Sequence, residues 1–131
     1  MIKVERFEEL VAWQKARSLT CGIYQLTRQG AFAKDFGLGN QIQRAAVSVM
    51  SNIAEGFERD GNKEFIQFLS DAKGSTGEVK SQLYVALDAR FITQPEFDEL
   101  YRAAEETSGL IGGFMRYLQS SAYRGSKFVR S

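Results

Sequence analysis

Seven residues in the C-terminal third of the chain recur in alternating steps of three and four, and this feature most constrains the fold. They are Phe97, Leu100, Ala104, Thr107, Ile111, Phe114 and Leu118. The spacing lines one side of an α-helix and is typical of the seams of helical bundles. Thr93, Pro95 and Glu96 precede the stripe as a capping box with proline in the first turn. The pattern predicts a long helix that starts near Thr93 and buries one face.

Three further stretches carry apolar residues at helical spacing. The predicted helices cover residues 7–28, the residues from Leu38 or Gly39 to Glu55, and residues 63–90. The segments 29–37 and 57–62 break the pattern and are predicted to be connections. Short connections between long helices make neighbouring helices antiparallel.

The connections contain candidate capping and packing residues. Gly56 follows the second predicted helix, where a left-handed cap is favoured. Asp60 or Asn62 is expected to cap the third helix. Phe32 and Phe36 are expected to pack beneath the bundle, because an aromatic ring gains free energy from leaving water.

Two glycine-containing segments lie inside predicted helices. Gly74 and Gly77 each disfavour a helix by about 1 kcal/mol relative to alanine, and Ser75 with Glu78 resembles a capping box that would start a new helix. The apolar register nevertheless passes through, so we favour one helix whose small residues let a neighbour approach closely. The glycines of residues 109–113 do not lie between a strand and a helix, so we predict close packing there and no phosphate loop.

These patterns predict an all-α protein, an antiparallel up-down-up-down four-helix bundle formed by residues 1–119. No segment shows the alternation of a strand, so we exclude a sheet. The 131 residues suit one domain, and a single proline argues against a loop-rich fold.

Residues 120–131 differ in charge from the rest of the chain. They contain Arg124, Lys127 and Arg130 and no acidic residue. We predict a separate basic C-terminal tail, either a frayed and solubilising terminus or a nucleic-acid-binding segment formed by these three residues.

The residue types exclude several kinds of catalytic site. The chain has no histidine and one cysteine, Cys21, so zinc sites, Glu-x-x-His di-metal sites and Cys–His nucleophiles are excluded. We expect Cys21 to be a small core or interface residue, and we expect no enzymatic activity, cofactor or metal. The charged first residues and the lack of a long apolar run predict a cytoplasmic protein that does not enter a membrane.

The second predicted helix carries an unusual polar stripe beside its apolar face. It consists of Gln41, Arg44, Ser48, Asn52 and Glu55, at steps of three and four. Four interpretations of such a stripe are open: a solvated surface, a buried hydrogen-bond network, a contact between subunits or an active site. The active site is the least favoured of them. Arg44 and Glu55 are three turns apart, so each needs a partner on another helix or another chain.

The segment AAVSVMSNIAEGFER, which contains most of this stripe, resembles a signature of the bacterial four-helix-bundle proteins encoded in intervening sequences of 23S ribosomal RNA genes. Further matching motifs are FEELVAWQ at residues 7–14, Phe36-Gly37-Leu38 with Gln41, Lys63-Glu64-Phe65 with Phe68-Leu69, and Gly74-Ser75 with Glu78. The chain departs from the family at Val49-Met50, where an isoleucine–proline pair is more usual, and the exchange removes a helix kink.

The resemblance implies a left-handed up-down-up-down bundle, a ring-like homopentamer and no established enzymatic activity. It also implies a relationship to the accessory variability protein of diversity-generating retroelements, which works with a reverse transcriptase and binds nucleic acid. The ribosomal RNA link is one of gene location, so it is weak support for binding that RNA.

Two functional hypotheses follow. The first is a non-enzymatic homo-oligomeric scaffold that contacts RNA, DNA or a nucleic-acid enzyme such as a reverse transcriptase. The second is a protein–protein interaction module without nucleic-acid binding. The second is favoured by the near-neutral charge and by five tyrosines, which cannot all find hydroxyl partners in one small core.

Overall fold

The computed structural model describes residues 2–120 and 129–130, with side chains described for residues 4–120. Four helices dominate it: α1 Val11–Thr27, α2 Phe36–Glu58, α3 Asn62–Asp88 and α4 Gln94–Ser120. Single turns of 3-10 helix lie at Phe7–Glu9 and Phe32–Lys34. Each helix packs against the next in the chain, and α1 also packs against α4. The predicted all-α four-helix bundle is confirmed.

The predicted first helix is interrupted near its start. Leu10 has an extended backbone, with φ −75° and ψ 125°, so the turn at Phe7–Glu9 is separate from α1. Leu10 is nevertheless buried, because the extended residue directs its side chain into the core beneath α1. The prediction of one helix over residues 7–28 is therefore wrong at its first turn.

Helix α2 is longer than predicted at both ends. It starts at Phe36, where the Asp35 carboxylate accepts a hydrogen bond of 2.9 Å from the Leu38 amide. It continues to Glu58, so Gly56 lies inside the helix and is no left-handed cap. A Cβ on Gly56 would lie 2.8 Å from the Phe68 Cβ, so this glycine allows α3 to approach α2 closely.

Helix α3 is continuous through residues 74–77, which confirms the prediction of one helix there. Its start differs from the prediction, because Gly61, with φ +88°, occupies the N-cap position. Neither Asp60 nor Asn62 caps the helix. Asn62 Nδ2 instead donates a hydrogen bond of 3.2 Å to the Leu118 carbonyl oxygen, which ties α3 to the end of α4.

The capping box of α4 is confirmed. The Thr93 amide donates to Glu96 Oε1 at 2.8 Å, and the Glu96 amide donates to Thr93 Oγ1 at 3.3 Å. The two bonds satisfy backbone donors that the first turn of a helix leaves without intrahelical partners.

The core consists of two apolar clusters, one toward each end of the bundle. Phe32 lies in the second cluster with 1% of its surface exposed, as predicted. Phe36 is 76% exposed, so its predicted burial is wrong. It lies eleven residues before the exposed Val47, which is three helical turns, and therefore shares the outer side of α2.

The prediction that the protein contains no β-sheet is wrong in one detail. Ile2–Lys3 (β1) pairs antiparallel with Val129–Arg130 (β2). Two residues per strand are too few to show an alternating pattern, so the sequence carried no signal for this pair. The described residues do not include 121–128 and 131. The predicted separate tail at 120–131 falls largely on these residues and stays a prediction. Among the described residues, no helix is long and apolar enough to cross a membrane.

Candidate functional site

The polar stripe of α2 lies on the flank of the helix that faces α3. Its middle residues, Ser48 and Asn52, are half-buried. The Ser75 hydroxyl of α3 donates a 2.9 Å hydrogen bond to Ser48 Oγ, and Asn52 Nδ2 donates to the same oxygen at 3.0 Å. Ser75 is itself buried, with 7% of its surface exposed. This part of the stripe is a hydrogen-bond network that joins α2 to α3 beside the core.

One end of the stripe opens into a polar cleft between α2 and α3. The cleft has a volume of about 510 Å³ and is lined by Gln41, Arg44, Ala45, Ser48, Glu78 and Gln82. Gln82 Oε1 is shielded from solvent and accepts no hydrogen bond from any described residue. Arg44 and Glu78 carry opposite charges in this cleft, and no ion pair joins them within the described part of the chain.

The other end of the stripe, Glu55, is exposed and paired with the residue that directly follows α2. Arg59, which follows α2 directly, lies 3.1 Å from the Glu55 carboxylate and 3.9 Å from that of Glu64. Its guanidinium also lies 5.0 Å from the centre of the Phe68 ring. The prediction that Glu55 needs another helix or chain is therefore wrong, because an arginine one turn further along reaches it.

The described residues contain no group of three or more carboxylates or thiols placed to hold a metal ion. Cys21 is exposed, so its predicted core position is wrong, and the alternative of an interface residue stays a prediction. Arg124 and Lys127 lie outside the described residues, and only the backbone of Arg130 is described, in β2. The assignment of these three residues to nucleic-acid binding stays a prediction.

Basic residues in α1 and directly after it form a feature that the apolar periodicity did not indicate. The guanidinium of Arg17 lies 5.8 Å from the Trp13 ring centre, and that of Arg28 lies 5.4 Å from the Tyr24 ring centre. Cation–π contacts of this kind hold an arginine against the surface while leaving its charge in place. The signal was present in the sequence, because residues 10–34 contain four basic residues and no acidic one.

A second aromatic group covers the junction of α3 and α4. Tyr84 is 49% exposed, and its ring centre lies 4.8 Å from that of Phe97 and 5.7 Å from that of Tyr101. The neighbouring Tyr101 raises the pKa of Tyr84, because two phenolates at this distance would repel each other. Lys80 lies 5.7 Å from the Tyr101 ring and pairs with Glu105 at 3.6 Å.

The helix-interior glycines do not all pack closely. Gly112 does, since a Cβ there would lie 3.3 Å from Lys73 Cε. A Cβ on Gly74, Gly77 or Gly109 would meet no atom of the described residues within 4 Å, and all three glycines are exposed. The prediction of close packing against another part of the bundle is therefore wrong at these three positions.

Comparison with known proteins agrees with the fold. The sequence pattern of the family described as 23S rRNA-intervening sequence protein matches residues 8–113. The chain belongs to this family. No curated protein matches the chain.

One similar solved structure is that of a protein of unknown function from the S23 ribosomal protein family of Bacteroides thetaiotaomicron. The TM-score is 0.74 at 21% identity, over 81% of this chain and 99% of the other. At this identity the likeness concerns the fold. Neither the family's description nor that of the neighbour states a catalytic activity.

Proposed function

We propose that this member of the 23S rRNA-intervening sequence protein family is a non-enzymatic protomer of a homo-oligomer, most simply a pentameric ring. The assembly acts as a cytoplasmic scaffold that contacts nucleic acid or a nucleic-acid enzyme such as a reverse transcriptase. In this proposal the bundle supplies binding surfaces, and no residue performs chemistry.

The observation that carries the proposal is the unfilled space outside the glycines of α3. Ser70, Gly74, Gly77 and Ser81 follow each other at steps of four, three and four, so they share one outer side of the helix, and all are exposed. Each interior glycine disfavours the helix by about 1 kcal/mol, and no packed neighbour among the described residues offsets that cost at Gly74 or Gly77. A surface of small residues permits another molecule to approach the helix backbone.

Large exposed apolar side chains support the same conclusion. Phe36, Val47 and Val85 are 76%, 38% and 50% exposed. They lie on α2 and α3, the helices that form the polar cleft. Exposed aromatic and aliphatic side chains are frequent in protein-binding surfaces.

The self-assembly is tested by sedimentation velocity from about 1 to 100 μM protein. We expect a species several times heavier than 14.7 kDa that dissociates on dilution. A monomer over the whole range would contradict the proposed homo-oligomer.

Nucleic-acid contact is tested by the anisotropy of labelled structured RNA at 20 to 150 mM salt. If Arg124, Lys127 and Arg130 each neutralise one phosphate, the salt slope of the logarithm of the binding constant contains about −2 to −3 from the tail of one copy. Deletion of residues 120–131 should remove that contribution. Unchanged binding after deletion would exclude the tail as the contact.

The second candidate function is a protein–protein module that binds no nucleic acid. The observation that favours it is the patch of Tyr84 and Tyr101, because tyrosine with one exposed edge is frequent in protein interfaces. Assembly in sedimentation together with no RNA binding at 20 mM salt would select this alternative over the first.

A further inference from the structure

The two walls of the polar cleft between α2 and α3 differ in charge and in hydrogen-bonding character. Arg44 and Gln41 lie on the α2 wall, where the guanidinium and the side-chain amide supply N–H donors. Glu78 and Gln82 lie on the α3 wall, where the carboxylate and the shielded Gln82 Oε1 are acceptors. The α2 wall is therefore positive and the α3 wall is negative.

The hydrogen bond between Ser48 and Ser75 shows how the two walls are aligned. The two hydroxyl oxygens are 2.9 Å apart, so these residues are at the same height on neighbouring antiparallel helices. Arg44 lies four residues before Ser48. Glu78 lies three residues after Ser75, so the two charged residues differ in height by about 1.5 Å, the rise of one helical residue. Two opposite charges therefore line the cleft at nearly one height.

These facing groups do not bind each other. Arg44 and Glu78 form no ion pair with each other or with any other described residue. About one turn further along, Gln41 is level with Gln82, yet Gln82 Oε1 accepts no hydrogen bond from the described residues. A shielded acceptor without a partner has a free-energy cost that a bound N–H donor would remove. The cleft, of about 510 Å³, thus contains donors and acceptors that the described chain does not use.

The Ser48 hydroxyl is held in place at one end of the cleft. Ser48 Oγ accepts hydrogen bonds of 2.9 Å from Ser75 Oγ and 3.0 Å from Asn52 Nδ2. Both lone pairs of this oxygen are then used, so its proton is left as a donor, and no described residue accepts it. The α2 wall therefore offers a third donor, positioned by the network that joins the two helices.

The opposite charges of the two walls restrict what the cleft can bind. Glu78 would repel an isolated anion, and Arg44 would repel an isolated cation. An apolar molecule would cover both charges and supply no hydrogen bonds to them. A zwitterion satisfies both walls, because its carboxylate can accept from the α2 donors while its cationic end donates to the α3 acceptors.

The two acceptors of α3 favour a guanidinium as the cationic end of the ligand. Glu78 and Gln82 are four residues apart, so their side chains are neighbours on one side of the helix. A guanidinium has five N–H donors in a planar fork and is less strongly hydrated than an ammonium. It can therefore donate to a carboxylate and to an adjacent amide oxygen at the same time. The volume of the cleft lies within the range of about 300–1,000 Å³ that small-ligand sites occupy.

We propose that the α2–α3 cleft binds a small zwitterion in which a short chain joins a guanidinium to a carboxylate. Arg44, Gln41 and the Ser48 hydroxyl bind the carboxylate. Glu78 and Gln82 Oε1 bind the guanidinium. The inference goes beyond the proposed scaffold, because the site is formed by two helices of one protomer and does not depend on self-assembly.

The probe for this site is γ-guanidinobutyrate, which has a guanidinium, three methylene groups and a carboxylate. By isothermal titration calorimetry at 50 mM salt, we expect a dissociation constant of about 0.1–1 mM, a range suited to a ligand of this size in an open site. In γ-ureidobutyrate a neutral urea replaces the guanidinium, and in butylguanidine a methyl group replaces the carboxylate. Each should bind about tenfold more weakly, because it loses one charge-assisted contact.

Substitutions in the cleft test where the two ends of the probe bind. Arg44→Gln should weaken γ-guanidinobutyrate about tenfold but should not weaken butylguanidine, which has no carboxylate. Glu78→Gln should weaken γ-guanidinobutyrate about tenfold but should not weaken γ-ureidobutyrate, which has no cationic end. The matched controls are Arg102→Gln and Glu106→Gln, because both residues are exposed on α4 and neither lines the cleft. Neither control should change binding, and circular dichroism checks that each variant folds.

The inference would be overturned by no binding of γ-guanidinobutyrate up to 10 mM, by equal binding of the three compounds, or by equal binding to cleft variants and controls. If the probe does not bind and Arg44→Gln abolishes RNA binding, the cleft is a macromolecular contact and the small-ligand site is wrong. A monomeric wild type that binds the probe would contradict the proposed assembly and support this inference. An assembled wild type that does not bind it would overturn this inference alone.

Discussion

Replacement of Gly56 by alanine is the sharpest test of how α2 and α3 pack. At an ordinary helix position, Gly→Ala stabilises a protein by about 1 kcal/mol. At Gly56 the added Cβ would lie 2.8 Å from Phe65 Cδ1 and 2.8 Å from Phe68 Cβ. The Phe65 ring can rotate, but the Phe68 Cβ moves only with the backbone of α3.

Overpacking of this kind destabilises a core by about 1–3 kcal/mol, and the rigid contact at Phe68 favours the upper half of that range. After subtraction of the propensity gain, we expect Gly56→Ala to destabilise the protein by about 1–2 kcal/mol. The matched control is Gly77→Ala, which has open space and should stabilise the protein by about 0.5–1 kcal/mol. The two variants should therefore differ by about 2 kcal/mol, with opposite signs.

The assay is urea unfolding followed by helical circular dichroism, at a concentration where sedimentation shows only monomer. With an m-value of about 2 kcal/mol/M, the two midpoints should differ by about 1 M urea. If Gly56→Ala is as stable as Gly77→Ala, the helices do not approach as closely as described and the reasoning fails.

Three further predictions concern the hydrogen-bond network of Ser48 and Ser75, the cap of α4, and the phenylalanines Phe32 and Phe36. Ser75→Ala should lower the free energy of unfolding by about 1–2 kcal/mol because it removes a buried hydrogen bond. In a double-mutant cycle with Ser48→Ala, measured by urea unfolding, the coupling energy should be about 0.5–1 kcal/mol. Additive effects of the two substitutions would contradict the network. In the same assay, Thr93→Ala should lower the free energy of unfolding by about 1 kcal/mol, because it removes half of the capping box. No change in stability would contradict a stabilising role for this cap. Phe32→Ala should cost about 3–5 kcal/mol, whereas Phe36→Ala should change stability by less than about 0.5 kcal/mol; equal losses would contradict the assigned exposures.

Local features of the sequence determined the number and type of the elements. Four apolar stripes at helical spacing predicted four helices, and the capping box located the start of α4 within one residue. The continuity of α3 through Gly74 and Gly77 followed from its apolar residues, which keep the same helical spacing on both sides of the two glycines. The polar stripe of α2 was also visible, because its five residues share one flank at every turn.

Only the tertiary structure decided which residues pack against each side of each helix. Gly56 lies in close contact with α3, whereas Gly77 lies on open surface. The two glycines differ because exposure depends on where the neighbouring helix lies and not on local spacing. Phe32 and Phe36 differ for the same reason, although both were expected to be buried. The partner of Ser48, which is Ser75 from α3, likewise depends on how the two helices are aligned along their length. The Glu55–Arg59 pair, in contrast, is a local contact between residues four apart. Periodicity determines which side of a helix is apolar, and packing determines which part of the remaining surface is left for another molecule.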